Sequence, residues 1–214
     1  MSNITVVAFD YGGVIAQRID ENTVLHMAAE AGAAPGPFLR ALWSNRLADD
    51  AGTLDAPAYW SAVLRDAGGR ELTDELLQTL LILDALGWTR VNPGMVRWMG
   101  ALRRAGFRLV LISNMAVATY EMVVQPSSWI HLFEHVVLSG WEGVNKPDRR
   151  IFASAADKMG VGPEELLFID DIPANVEGAR AAGLQSCAFV DPPSLALTLE
   201  RDFPGVPAAG LLAT

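Results

Sequence analysis

The chain has 214 residues, of which 51% are hydrophobic and 19% are charged, and its formal net charge is −9. That size suits one sizeable core with or without a smaller satellite, and the negative charge argues against a nucleic-acid partner, which usually needs a basic face. No apolar run reaches the ~20 residues of a membrane span, no signal peptide is recognisable, and the single Cys187 excludes an internal disulfide, so we expect a cytoplasmic protein.

The first predicted element is a buried strand over residues 5–9, rich in β-branched and aromatic side chains. Asp10 follows at its carboxyl end, and Gly12-Gly13 then allow a tight turn and a close approach to a bound group. A carboxylate in such a place can act as a nucleophile or as a metal ligand. The alternative is an ordinary turn in which Asp10 bonds only to its own backbone.

Residues 16 to about 90 lack the strand pattern and predict helices over 21–31, 36–48, 56–67 and 73–83. A helical insert directly after the strand that carries Asp10 indicates a cap over the sheet edge. We therefore expect a core domain formed by residues 1–16 and 90–214 and a cap domain formed by residues 17–89. Trp43, Trp60 and Trp88 are candidates for lining a pocket against Asp10.

From Asn92 onward strands and helices alternate. Strands are predicted over 107–112, 135–138, 166–169 and 185–190, and helices over the segment opened by Asn92 and over 116–124, 149–159 and 173–182. We expect a loop over 140–147 and surface coil over 203–214. This alternation favours parallel pairing with right-handed crossovers, so the predicted fold is α/β: a Rossmann-like three-layer parallel-sheet core with a small all-helical cap inserted after the first strand.

Polar residues follow four of the predicted strands, and the carboxyl ends of parallel strands lie at one edge of a sheet. These residues are Asp10, Ser113-Asn114, Lys146 in the loop after the third strand, and Asp170-Asp171. Each alone is typical of an ordinary turn or helix start, but the set favours phosphoryl transfer. In that chemistry Asp10 attacks phosphorus and forms an aspartyl phosphate.

The same residues provide the charges that such a reaction needs. Asp10, the backbone carbonyl of Gly12 and Asp171 could hold Mg²⁺ through oxygen atoms, with Asp170 completing the acidic cluster. Lys146 supplies a positive charge to the phosphate and to Asp10. Phosphate oxygens are expected to bind Ser113, Asn114 and the backbone N–H groups that follow Asp10, those of Tyr11 and Gly12.

Taken together, these motifs resemble those of the haloacid dehalogenase-like hydrolase superfamily with a helical cap. FDYGGVI resembles its first motif, LISN its second, the lysine of NKPD its third, and FIDDIPANVEGARAAG its fourth. The combination is similar to sugar-phosphate phosphatases and to the phosphatase domain of soluble epoxide hydrolases. The resemblance implies that Asp10 is the nucleophile, that Ser113 and Lys146 bind phosphate, that Asp10, Gly12 and Asp171 bind magnesium, and that Asn175 is a polar partner.

One departure from the family pattern concerns Gly12, because family phosphatases usually carry their general acid at that position. Two alternatives therefore stay open beside a Mg²⁺-dependent phosphatase acting on a small phosphorylated metabolite. One is a metal-independent 2-haloacid dehalogenase, which Asp170-Asp171 disfavours because unpaired acids repel one another. The other is a weak or inactive binding protein. The cap or the apolar tail also offers a surface for a homodimer.

Overall fold

The computed structural model describes residues 4–211 and contains a parallel sheet of five short strands. The strands are β1 (Val6–Phe9), β2 (Arg108–Ser113), β3 (His135–Leu138), β4 (Leu166–Asp170) and β5 (Gln185–Ala188). Their order in the sheet is β3-β2-β1-β4-β5, and every neighbouring pair is parallel. The prediction of an α/β fold with a parallel sheet is confirmed, and β1 lies at its centre.

Helices precede or follow each strand of the sheet. In chain order they are α1 (Glu21–Glu30), α2 (Pro35–Asp50), α3 (Ala56–Ala67), α4 (Asp74–Gly87), α5 (Pro93–Arg104), α6 (Val117–Thr119), α7 (Ser139–Glu142), α8 (Arg149–Met159), α9 (Pro173–Ala181) and α10 (Pro192–Asp202). Short 3₁₀ turns lie at Ile130–Leu132 and Pro163–Glu165. Asn92 caps α5 through its side chain, as its place before Pro93 predicts.

Both faces of the sheet are covered, which explains why its strands are almost continuously apolar. Successive side chains of a strand point to opposite faces. Phe9 packs edge-to-face on Trp98 of α5 and belongs to one buried cluster, whereas Ala8 belongs to a second cluster with Phe152 of α8. The three layers of the predicted core are therefore present.

The helices α1 to α4 enclose a third buried cluster, which includes Met27, Phe38, Leu42 and Leu80. Trp60 belongs to this cluster and is 1% exposed, so its predicted place in a pocket wall is wrong. A separate hydrophobic cluster suits a cap, although the division into a cap over 17–89 and a core stays a prediction.

Four other segments differ from the expected elements. The predicted loop over 140–147 begins with α7, and the helix expected over 116–124 is one turn of α6 followed by a π-helical segment at Tyr120–Val124. The strand expected to reach residue 190 ends at Ala188, and α10 was not predicted.

The segment after α10 is not simply surface coil. Val206 and Leu211 are buried in the same cluster as Trp98, whose indole Nε1 donates a 2.8 Å hydrogen bond to the carbonyl of Pro207. The last three positions of the predicted tail lie outside the described residues. Within residues 4–211, none of the helices has both the length and the apolar character needed to cross a membrane.

Candidate active site

The site lies at the carboxyl edge of the three central strands. In the sheet, β1 is flanked by β2 and β4, and Phe9 is in register with Leu111 and Ile169. The next positions along these strands bring Asp10, Ser113 and Asp170 to the same edge. Lys146 reaches this edge from the segment between α7 and α8.

Lys146 is the central cation of the site. Its Nζ lies 2.7 Å from Oδ1 of Asp10 and 2.7 Å from Oδ2 of Asp170, and it donates a 3.0 Å hydrogen bond to the carbonyl of Ile112. All three ammonium protons therefore have acceptors. Although burial alone would lower it, the two carboxylates raise the pKa of Lys146 above its usual value, so the side chain stays charged.

The backbone of Lys146 is fixed by Asn114. The Asn114 side chain accepts a 2.7 Å hydrogen bond from the Lys146 N–H and donates a 3.1 Å bond to its carbonyl. The sequence places Asn114 among the phosphate-binding residues, but its amide is engaged in positioning Lys146. Helix α9 supports the same turn from behind, because a Cβ on Gly178 would lie 2.5 Å from Cβ of Pro147.

Asp10 is buried beside this cation. Burial raises the pKa of the Asp10 carboxyl to about 7; Lys146 counteracts this shift, and Asp170 adds to it. The backbone N–H of Tyr11 donates a 2.7 Å hydrogen bond to the same carboxylate. Asp10 thus forms the turn contact expected of an ordinary aspartate and also pairs with Lys146, which an ordinary turn would not require.

Asp170 and Asp171 differ in what surrounds them. The Asp170 carboxylate accepts hydrogen bonds from Lys146 Nζ and from the N–H of Ile172, and both of its oxygens accept from Nδ2 of Asn175. It is therefore engaged in holding Lys146. Asp171 pairs through Oδ2 with Arg18 at 2.7 Å, and its buried Oδ1 has no hydrogen-bond partner.

Three carboxylates form a cluster suited to a cation. Asp10, Asp170 and Asp171 each place an oxygen within 4.8 Å of the other two. The backbone of Gly13 has a φ of 88° and runs close to this cluster, since a Cβ there would lie 2.0 Å from Asp171 Oδ2. The predicted need for bare backbone beside Asp10 is therefore met at Gly13.

A cavity of about 260 Å³ opens beside Asp10, between the sheet edge and helix α2, with Trp88, the residue after α4, also in its wall. Its wall includes most of the predicted site residues: Asp10, Tyr11, Gly12, Ser113, Asn114, Lys146 and Asn175. Trp43 and Trp88 also line it, as predicted. The structure thus brings the predicted residues together, with Asp170 and Asp171 in the adjoining carboxylate cluster.

Sequence reasoning missed three charged residues of the cavity, Arg18, Arg46 and Asp50. Arg18 follows the glycine turn without any motif. Asp50 is the last residue of α2, where an acid opposes the helix dipole, and that unfavourable placement is a signal the sequence did offer.

The sequence matches the model of the haloacid dehalogenase-like hydrolase family over residues 4–183. It is 31% identical over 149 residues to a phosphatase from Mycobacterium tuberculosis, covering 67% of each chain. It is 24% identical over 205 residues to haloacetate dehalogenase H-2 from Moraxella sp., covering 87% of this chain and 86% of the other.

The fold also matches a HAD family enzyme from Bacteroides thetaiotaomicron, solved as a magnesium complex. The TM-score is 0.72 at 19% identity, covering 87% of this chain and 93% of the other. Across the first curated relatives, the chain spans between 40% and 67% of the relative's own length.

Proposed function

Because this chain belongs to the haloacid dehalogenase-like hydrolase family, we propose that it is a magnesium-dependent phosphomonoester hydrolase that works through a phosphorylated Asp10. The observation that carries the proposal is the Lys146 ammonium, held 2.7 Å from Asp10 in a cavity that both residues line. A buried nucleophile next to a fixed cation suits attack on an anion, which a lone carboxylate would repel.

The substrate is a small phosphorylated metabolite. A cavity of about 260 Å³ limits its size, and its wall carries the cations Lys146 and Arg18 together with the hydroxyl of Ser113. These groups complement a phosphate dianion. The similarity to the phosphatase from Mycobacterium tuberculosis also supports a phosphorylated substrate.

Asp10 attacks phosphorus with a carboxylate oxygen, and the ester oxygen departs with the electron pair of its bond. Water then releases the phosphate from Asp10 in a second step, so that one difficult displacement becomes two easier ones. Lys146 favours the ionised form of Asp10, which is the reactive one. Asp170 keeps Lys146 in place by accepting its hydrogen bond, and Asn175 in turn holds the Asp170 carboxylate.

The carboxylate cluster fits a hard divalent cation such as Mg²⁺. The buried Asp171 Oδ1 without a partner is the kind of atom that such an ion satisfies. Asp171, Asp10 and the carbonyl of Gly12 would hold the ion, while Asp170 is already engaged by Lys146 and Asn175. When bound, Mg²⁺ supplies positive charge that offsets the negative charge of nucleophile and phosphate.

A metal-independent dehalogenase is the alternative, and the haloacetate dehalogenase relative favours it. In that reaction Asp10 would attack carbon. The three clustered carboxylates weigh against it, because Lys146 and the exposed Arg18 are the cations that contact them in the described part of the chain.

The test is a phosphate-release screen of sugar phosphates, nucleotides and aryl phosphates with Mg²⁺. We expect hydrolysis by the wild-type protein, none by Asp10→Asn, and none in excess EDTA. Full activity in EDTA on 2-haloacids would support the dehalogenase instead. Ligand binding without phosphate release from any ester would support a binding protein.

A further inference from the structure

The position that carries the general acid in related phosphatases has no side chain here, and the space above it is filled. A Cβ built on Gly12 would lie 2.8 Å from Cζ3 of Trp88. The Trp88 ring also packs edge-to-face on Trp43 at a centroid distance of 6.4 Å. A proton donor for the leaving group must therefore come from another wall of the cavity.

We propose that Asp50, at the end of α2, is the general acid and base of the reaction, an assignment that rests on the proposed phosphatase function. Asp10 and Asp50 are the two carboxylates that line the cavity within the described part of the chain. Asp10 lies at the floor, on the sheet edge. Asp50 lines the same cavity from the end of α2, near enough to Asp10 for the two charges to interact.

The end of α2 is tied to the sheet edge by a set of hydrogen bonds. The Ser139 hydroxyl donates a 2.5 Å bond to the carbonyl of Asp50 and accepts a 2.9 Å bond from the N–H of Met115, which follows Ser113-Asn114. The Asn145 amide donates a 2.6 Å bond to the carbonyl of Leu47. Asp50 is therefore held at a fixed place relative to the phosphate-binding residues.

The surroundings of Asp50 favour its protonated form. It is 8% exposed, and burial raises its pKa to about 7, with Arg46 counteracting and Asp49, Asp84 and Asp10 adding to the shift. Arg46 directs its hydrogen bonds to Asp84, at 3.0 and 2.5 Å, and within residues 4–211 no ion pair engages Asp50. Its place at the negative end of α2 acts in the same direction.

The two steps balance as follows. In the first, the Asp10 oxygen bonds to phosphorus, the ester P–O bond breaks, and the leaving oxygen takes the Asp50 proton to become an alcohol. In the second, the Asp50 carboxylate removes a proton from a water whose oxygen attacks phosphorus. The bond between Asp10 and phosphorus breaks, phosphate leaves, and both residues return to their starting states.

The test compares Asp50→Asn with wild type on two substrates that differ in leaving group, an alkyl phosphate and 2,4-dinitrophenyl phosphate. We expect kcat/KM for the alkyl ester to fall by about 10²–10⁴-fold, because an alkoxide needs the proton. The dinitrophenolate leaves without one, so its kcat/KM should fall far less. Asp49→Asn is the matched control, a buried carboxyl on the same helix outside the cavity wall. Because Asp49 only adds to the pKa shift of Asp50, its loss should separate the two substrates far less than Asp50→Asn does.

A second measurement is the pH dependence of kcat/KM. For the wild-type protein, kcat/KM on the alkyl ester should fall as pH rises through the pKa of Asp50 near 7, and Asp50→Asn should lose that limb. Equal losses on both esters, or an unchanged rate on the alkyl ester, would overturn the assignment. If the Asp50 assignment is overturned in this way but Asp10→Asn is inactive on dinitrophenyl phosphate, the proposed phosphatase function still stands, without Asp50 as its general acid.

Discussion

At the scale of single residues, two adjacent aspartates perform different tasks. Asp170 is fully buried and its carboxylate is saturated by Lys146, Asn175 and a backbone N–H. Asp171 keeps one buried oxygen unpartnered and shares the other with Arg18. The acidic pair of the sequence thus resolves into one residue that holds the lysine and one that is available to a cation.

Arg18 is expected to compete with Mg²⁺ for Asp171. Its side chain is 61% exposed, so it can move into solvent when an ion arrives, and an exposed pair is worth roughly 0.2–1 kcal/mol. Arg18→Gln should therefore bind Mg²⁺ up to about fivefold more tightly. Titration calorimetry of the protein with Mg²⁺ alone measures this affinity.

The matched control for that titration is Arg201→Gln. Arg201 also forms an exposed pair with an aspartate, Asp202, but it lies on α10 away from the cluster. Its Mg²⁺ affinity should equal that of the wild type. Weaker binding by Arg18→Gln would show that Arg18 supports the metal site instead of competing with it.

At the scale of elements, α2 and α4 are joined by buried charge. Arg46 of α2 forms two hydrogen bonds with Asp84 of α4, lies 3.7 Å from Asp49, and stacks its guanidinium 5.3 Å from the Tyr59 ring centre of α3. One buried cation therefore serves three helices. Arg46 also lines the cavity. The packing of these helices and the shape of the site therefore depend on the same side chain.

Removal of this cation should destabilise the protein strongly. Arg46→Met fills similar space but leaves Asp84 and Asp49 without a positive partner in a buried place. Breaking one side of a buried pair typically costs roughly 3–5 kcal/mol. We expect a loss of that order in the free energy of unfolding, measured by urea denaturation.

An exposed pair on a neighbouring helix provides the control. Arg65 of α3 pairs with Asp66 at 3.0 Å, with side chains 72% and 40% exposed. Arg65→Met should leave the denaturation midpoint nearly unchanged because solvent screens such a pair. Similar losses for both variants would contradict the assignment of stability to the buried cation.

At the scale of the whole molecule, buried carboxyls on α2 link stability to pH. Burial raises the pKa of Asp49 to about 6 and that of Asp50 to about 7, with Arg46 opposing both shifts. These folded-state pKa values exceed the unfolded ones. At any pH between the two values, the folded chain therefore binds more protons than the unfolded chain. Their contribution is therefore full below the unfolded pKa of about 4, and it is lost progressively as pH rises from there to the folded-state values of about 6 and about 7.

The free energy of unfolding in EDTA should fall between about pH 5 and about pH 7, with Asp50 contributing on the order of 2 kcal/mol to the fall over that range. Surface acids such as Asp148, with a pKa lowered to about 2 by Arg150, are ionised in both states throughout this range. Denaturation curves at several pH values measure the slope. Asp50→Asn should flatten it, and an unchanged slope would show that Asp50 titrates normally.

The sequence was most informative where local pattern decides structure. The run His135–Leu138 forms the strand expected of it, and Arg149–Met159 forms the expected helix, because apolar spacing and capping are local properties. Polar residues at the carboxyl ends of strands identified the edge of the sheet that carries the site for the same reason. Helix α10 and the burial of Leu211 were not predicted, since they depend on packing against distant residues such as Trp98.

Long-range contacts explain what the sequence left unresolved within the site. Asp50 and Asp10 lie forty positions apart, and their shared cavity follows from how α2 meets α7 through Ser139. The exchange of hydrogen bonds between Asn114 and Lys146 likewise needs two distant segments to meet. No periodicity in either segment encodes such a meeting.

The indole over Gly12 restricts which residues can occupy position 12. The backbone at residue 12 has an ordinary φ, yet a methyl group there would already press on the ring at 2.8 Å. Any side chain at residue 12 must therefore displace the Trp88 ring, and an aspartate there is best accommodated together with a smaller residue at position 88. The glycine and the tryptophan thus form a matched pair that is exchanged most easily as a unit.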